Sequence, residues 1–140
     1  NQFEQMLSEA SDARTRAHAR YSGFQVGAVI LTTSGTRVAG CNVENASYGM
    51  SLCAERNAAT CGRRVEGDAF EIQAVLVYAS GGKEGPVPPC GACLQVMVEF
   101  ATPDATVVSV TPNHRQATWS LRDLLPYPFR FAGPRVDAPR

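Results

Sequence analysis

The chain has 140 residues with no formal net charge, 44% hydrophobic and 19% charged, which suits one folded domain able to bury its own core. The absence of net charge argues against a broad electrostatic grip on nucleic acid and favours a small substrate. No run of about 18 apolar residues occurs, and the first ten residues lack the basic-then-apolar order of a secretory leader, so the expectation is a soluble, cytoplasmic protein without membrane contact.

Phe3, Met6, Leu7, Ala10, Ala13 and Ala17 recur at helical spacing. They predict an amphipathic helix that ends before Tyr21-Ser22-Gly23 and covers a sheet. Val26 to Leu31 and Thr36 to Cys41 are short β-type runs around Thr32-Thr33-Ser34-Gly35, the pattern of a hairpin. A helix is expected from about Ser51 to Gly62. Ile72 to Ala79 is a further strand, followed by the Gly- and Pro-rich loop Ser80 to Pro89, a helix from Cys90 to about Phe100 and a strand from Ala105 to Val110. Strands and helices alternating after a hairpin define an α/β fold, a three-layer α/β/α sandwich with a mixed central sheet. No internal repeat or long linker divides the chain, so one domain is expected over 1–130. The segment 131–140, with Pro134 and Pro139, reads as a partly disordered tail.

Five cysteines cannot all pair within one chain, and three of them sit in a chemically suggestive pattern. Cys53-Ala54-Glu55 opens one predicted helix and Pro89-Cys90-Gly91-Ala92-Cys93 opens another. Helix starts lower thiol pKa values and favour the thiolate that binds metal. A thiol, one residue, a glutamate and then a distant Pro-Cys-x-x-Cys form the zinc deaminase signature, in which the glutamate moves protons and is not a ligand. Cys53, Cys90 and Cys93 are therefore the expected ligands of one zinc ion, and Glu55 is the expected catalytic acid and base. Three ligands leave a tetrahedral zinc one position for activated water. A purely structural zinc site needs a fourth ligand, and Cys41, Cys61, His18 and His114 lack partner-like spacing; Cys41 and Cys61 read as small buried apolar residues. Arg56, adjacent to Glu55, is expected to offset the excess negative charge of three thiolates on a dication.

From Tyr21-Ser22-Gly23-Phe24-Gln25-Val26-Gly27-Ala28 to Leu124-Leu125-Pro126-Tyr127-Pro128-Phe129 the chain resembles the small homotetrameric cytidine deaminases. The specific pieces are Gly40-Cys41-Asn42-Val43-Glu44-Asn45-Ala46-Ser47-Tyr48-Gly49, Cys53-Ala54-Glu55-Arg56 and Pro89-Cys90-Gly91-Ala92-Cys93. The resemblance implies that Asn42 and Glu44 hold the ribose hydroxyls, that Phe24 packs on the pyrimidine and that Ala54 lies at the base pocket. It implies that Phe129 reaches toward the nucleoside in a homotetramer whose neighbouring subunits complete each site. It also implies one zinc per subunit and conversion of cytidine and deoxycytidine to uridine and deoxyuridine with release of ammonia. The family commonly has arginine after its last ligand cysteine, where this chain has Leu94; a tolerated change is the expectation. Competing readings are a deaminase of a modified cytosine nucleoside of the blasticidin type and a zinc-stabilised binding module without turnover. A polynucleotide deaminase ranks lower, since the chain has no basic run to guide a strand.

Overall fold

The computed structural model describes residues 1–133; the expected tail at 131–140 falls mostly outside the described residues. A helix, α1 (Gln2–Thr15), precedes the hairpin β1 (Val26–Thr32) and β2 (Arg37–Cys41), and then come α2 (Ala54–Glu66), β3 (Ile72–Ala79), α3 (Gly91–Val98), β4 (Ala101–Val110), β5 (Gln116–Ser120) and the single turn α4 (Leu121–Leu124). The five strands form one sheet in the order β2-β1-β3-β4-β5. β1 runs antiparallel to both β2 and β3, β3 and β4 are parallel, and β5 is antiparallel to β4. The mixed sheet is thus as expected.

Alternation along the strands sorts side chains to two faces. Val29, Leu76 and Val110 face one side, where Met6 and Ala10 of α1 cover them. Ala28, Ile30, Val75, Val77 and Val107 face the other, under Ala54, Ala58 and Ala59 of α2, Cys93, Leu94 and Met97 of α3 and Leu121 of α4. The sheet and the helices on its two faces make the three layers of the sandwich.

Two glycines set how closely the layers approach. A Cβ on Gly27 would collide with the Ala10 carbonyl oxygen and come within 2.8 Å of the Arg14 amide nitrogen. On the opposite face, a Cβ on Gly40 would lie 2.5 Å from the Ala58 nitrogen and 2.6 Å from the Ala54 oxygen. Helix backbone therefore rests directly on strand backbone at both points, which only glycine permits.

Several boundaries differ from the sequence reading. α2 starts at Ala54 rather than Ser51 and continues to Glu66, because Ser51 and Leu52 are extended, with Leu52 bridged to Val43 in antiparallel fashion. β4 begins at Ala101 and carries a register shift against β3. β5 and α4 were not anticipated: β5 is a short, half-exposed edge strand, and α4 is one turn capped by Ser120 Oγ, which accepts from the Asp123 amide at 3.0 Å. Cys61 is exposed, contrary to the expectation of burial, because the buried stripe of α2 runs through Ala54, Glu55, Ala58, Ala59 and Gly62 and leaves position 61 on its outer side.

Candidate active site

Cys53 and Cys90 are the N-caps of α2 and α3, each in extended conformation immediately before its helix. Cys93 lies one turn into α3, where Leu94 and Met97 carry the same face into the core. The packing of α2 and α3 side by side brings the three thiols together across 37 residues of sequence. Cys53 Sγ is 3.9 Å from Cys90 Sγ, and Cys90 Sγ is 3.5 Å from Cys93 Sγ. All three sulfurs fall within 4.8 Å of one another. Tetrahedral zinc with Zn–S bonds of about 2.3 Å needs sulfurs roughly 3.8 Å apart, so the donor set fits zinc in spacing and chemistry.

Electrostatics lead to the same fit. Hydrogen bonds from Cys93 and from the Arg56 guanidinium bring the Cys53 thiol down to about 5 against the cost of burial. Cys93 is pushed up, first by its hydrogen bond to Cys53 and then by burial. Three thiolates in this space require a cation among them. Arg56 Nη2 stands 3.4 Å from Cys53 Sγ and donates to the Ser51 carbonyl at 3.3 Å, so the expected charge-offsetting residue is against the cluster.

A cavity of ≈ 300 Å³ opens over Cys53 and Cys90. Glu55 lines it from the first turn of α2 while only 5% exposed. Burial raises the Glu55 pKa above the ordinary carboxylate value, with the neighbouring Cys53 charge adding to the rise. Ala54, Phe24, Asn42 and Glu44 line the same cavity, so five expected site residues and two of the three thiols share one space; Cys93 sits buried beside it.

Asn42 and Glu44 are held by local architecture. The Asn42 Oδ1 accepts from the Val26 amide and its Nδ2 donates to the Phe24 carbonyl, each at 2.8 Å, which ties the start of β1 to this segment. Val43 between them is bridged on one side to His18 and on the other to Leu52. Glu44 Oε1 accepts from the amides of Tyr21 and Ser22 at 3.0 Å, and Oε2 accepts from the Ser22 hydroxyl. The Ser22 bonds, hydroxyl first, lower the Glu44 pKa and keep the carboxylate ionised.

Phe129 is not in the cavity of its own chain. It is 76% exposed, and its backbone is strapped to α3 by the Gln95 side chain, which donates to the Phe129 carbonyl at 3.0 Å and accepts from its amide at 3.2 Å. Leu94 is 6% exposed within the core cluster under α3, so leucine there fills packing space rather than facing solvent. Sequence reasoning missed Ser22 as the group that fixes Glu44; Tyr21-Ser22-Gly23 reads as the end of the first helix and the start of the family likeness, with no role for the hydroxyl. It also missed Val87, Pro88 and Pro89 as cavity wall, since a Pro-rich run reads simply as a loop.

A mixed sheet carrying a three-thiol cluster at two helix N-termini, beside a buried glutamate, defines the zinc-dependent deaminase class. The family model of the cytidine and deoxycytidylate deaminase zinc-binding region matches residues 1–110, and the chain belongs to that family. Within it, the chain is 44% identical over 108 residues to the cytidine deaminase of Halalkalibacterium halodurans, covering 74% of this chain and 76% of that one. It is 44% identical over 97 residues to the cytidine deaminase of Sporosarcina psychrophila, covering 69% and 68%. The crystal structure of cytidine deaminase from Burkholderia pseudomallei superposes with a TM-score of 0.80 at 40% identity, over 90% of this chain and 98% of that one.

Proposed function

We propose that the chain hydrolyses cytidine and deoxycytidine to uridine and deoxyuridine with release of ammonia. The observation that carries this reading is a buried carboxylate, Glu55, two residues beyond a ligand thiol in a nucleoside-sized cavity whose metal seat has three ligands. Cys53, Cys90 and Cys93 hold zinc, one ion per chain, and the metal supplies the Lewis acidity that makes water nucleophilic at neutral pH.

Glu55 takes one proton from the attacking water and delivers it to ring nitrogen three, then takes the second from the hydroxyl so formed at ring carbon four and passes it to the amino group, which leaves as ammonia. Its raised pKa suits this, because a carboxyl group that both accepts and donates works best with a pKa near the operating pH. Ala54, without a side chain beyond Cβ, leaves room for the base, and Phe24 packs against the pyrimidine face. Asn42 and the ionised Glu44 take the ribose hydroxyls; a carboxylate at that end favours a neutral nucleoside over its phosphate. Arg56 offsets the excess negative charge of the ligand cluster.

The exposed aromatic and apolar side chains Tyr48, Met50, Tyr127 and Phe129 favour a homotetramer in which Phe129 reaches a neighbour's cavity. None of the described helices is long and apolar enough to cross a membrane. A role in pyrimidine salvage in the cytoplasm follows from the proposed action on free nucleosides.

Glu55→Gln tests the reading. It keeps size and hydrogen-bonding capacity while removing the group that exchanges protons. Zinc content and cytidine affinity should stay near parental values while the rate of ammonia release falls by about 10²-fold to 10⁴-fold or more. Near-parental turnover by a fully zinc-loaded variant would remove Glu55 from the mechanism.

A further inference from the structure

Arg14 lies in the last turn of α1, on the sheet face opposite the thiol cluster, and does not line the cavity. Its guanidinium reaches over the end of the β1–β3 pair. Nε donates to the Gln25 carbonyl at 2.9 Å, Nη2 donates to Ser80 Oγ at 3.4 Å, and Cζ stands 5.5 Å from the centre of the Tyr78 ring. Among the described residues no carboxylate forms an ion pair with it. Its donors go to backbone, hydroxyl and ring, which is the bonding of a clamp rather than of a surface ion pair.

The two segments it joins both contribute to the cavity lining. Val26 pairs with Ala79, so Gln25 and Ser80 leave the sheet side by side. Gln25 sits between Phe24 and Val26, both cavity wall. Ser80 follows Ala79, also wall, and opens the loop that returns through Val87, Pro88 and Pro89 to Cys90. Arg14 itself is fixed from below, because α1 rests on the Gly27 backbone at this turn. A planar fork from a fixed helix position sets the distance between two partners, whereas the single ammonium point of lysine cannot hold both.

We propose that Arg14 is a positioning residue for nucleoside binding: by clamping Gln25 to Ser80 it holds the Phe24 wall and the Pro88 wall at the spacing the substrate requires. This role rests on the proposed deaminase activity. The parent, Arg14→Lys and Ser80→Ala are compared for zinc content, kcat and KM on cytidine, nucleoside affinity by calorimetry, and amide hydrogen exchange of residues 80–89.

Loss of a clamp removes binding shared by ground and transition states, which raises KM and leaves kcat in place. Arg14→Lys should raise KM by roughly tenfold with kcat within about twofold, full zinc and faster exchange in the loop. Ser80→Ala, which removes one of the partners, should move KM in the same direction by roughly threefold. A parental KM or parental loop exchange in Arg14→Lys would overturn the proposal. A parent that binds nucleoside but releases no ammonia would refute the deaminase reading alone. Affinity and loop exchange would then decide the clamp: both altered in Arg14→Lys supports it, and either one unchanged overturns it.

Discussion

Gly40→Ala adds one methyl group at the tightest point between β2 and α2. The new Cβ would lie 2.5 Å from the Ala58 nitrogen and 2.6 Å from the Ala54 oxygen, backbone atoms that no rotamer change can move aside. Restoring ordinary contact requires α2 to retreat by about 1 Å from a sheet packed at crystal-like density. Overpacking of this kind costs about 1 to 3 kcal/mol, or several degrees of Tm. A functional cost of similar size accompanies it, because α2 carries Cys53 at its N-cap and Glu55 in its first turn while Cys90 caps α3. A displacement of about 1 Å between catalytic groups lowers rates by roughly 10²-fold. We expect kcat/KM for cytidine to fall by that order, with zinc lost to chelator faster than from the parent. Thermal unfolding, zinc retention and kcat/KM on one preparation provide the check. Lowered Tm with parental kcat/KM would break the link between this helix–strand contact and the site, and parental values of both would refute the close approach itself.

Cys90→Ala should abolish zinc retention, since two thiols remain of three; elemental analysis reads this directly. A ligand at 1,000 times its Kd stabilises the native state by about 4 kcal/mol, so chelator should lower the parent's Tm and leave that of the variant unchanged. Leu94→Arg should be destabilising despite the arginine common in the family, because Leu94 is buried in the core cluster here. Lost packing and a buried charge cost roughly 2 to 4 kcal/mol, against under about 1.5 kcal/mol for Leu94→Met. Denaturant midpoints compare the two, and a parental midpoint for the arginine variant would show that this side chain reaches solvent.

The chemistry was legible because its signal is local. Cys53-Ala54-Glu55 places a donor and the acid, and Cys90-Gly91-Ala92-Cys93 two donors, within a few residues of a helix start, so each motif carries its chemistry locally even though the start of α2 falls three residues later than expected. The hairpin was legible for the same reason, since Thr32-Thr33-Ser34-Gly35 separates two β-rich runs. What escaped depends on contacts between distant residues. β5 is an edge strand defined by pairing Trp119 with Val107, not by an alternating pattern of its own. The exposure of Cys61 follows from the packed stripe of α2, and the strap from Gln95 to Phe129 spans 34 residues. Ser120 followed three residues later by Asp123 was a readable cap signal for α4 that the sequence reading passed over.

Charge accounting at the cluster explains how a leucine can stand where the family often has arginine. Three thiolates around a dication carry one excess negative charge. Two helix N-termini meet that charge, from α2 of 13 residues and α3 of 8, each equivalent to about half a positive unit near its first turn. Arg56 adds a full charge 3.4 Å from Cys53 Sγ. These contributions already outweigh the excess, so a second arginine is not needed to hold the thiolates ionised. Position 94 is thereby released from electrostatic duty, and in this chain it serves the core: Leu94 packs with Met97 and the α2 alanines on the sheet face that orients both cysteine-bearing helices. Leucine at this position stabilises the two helices that carry the cysteines.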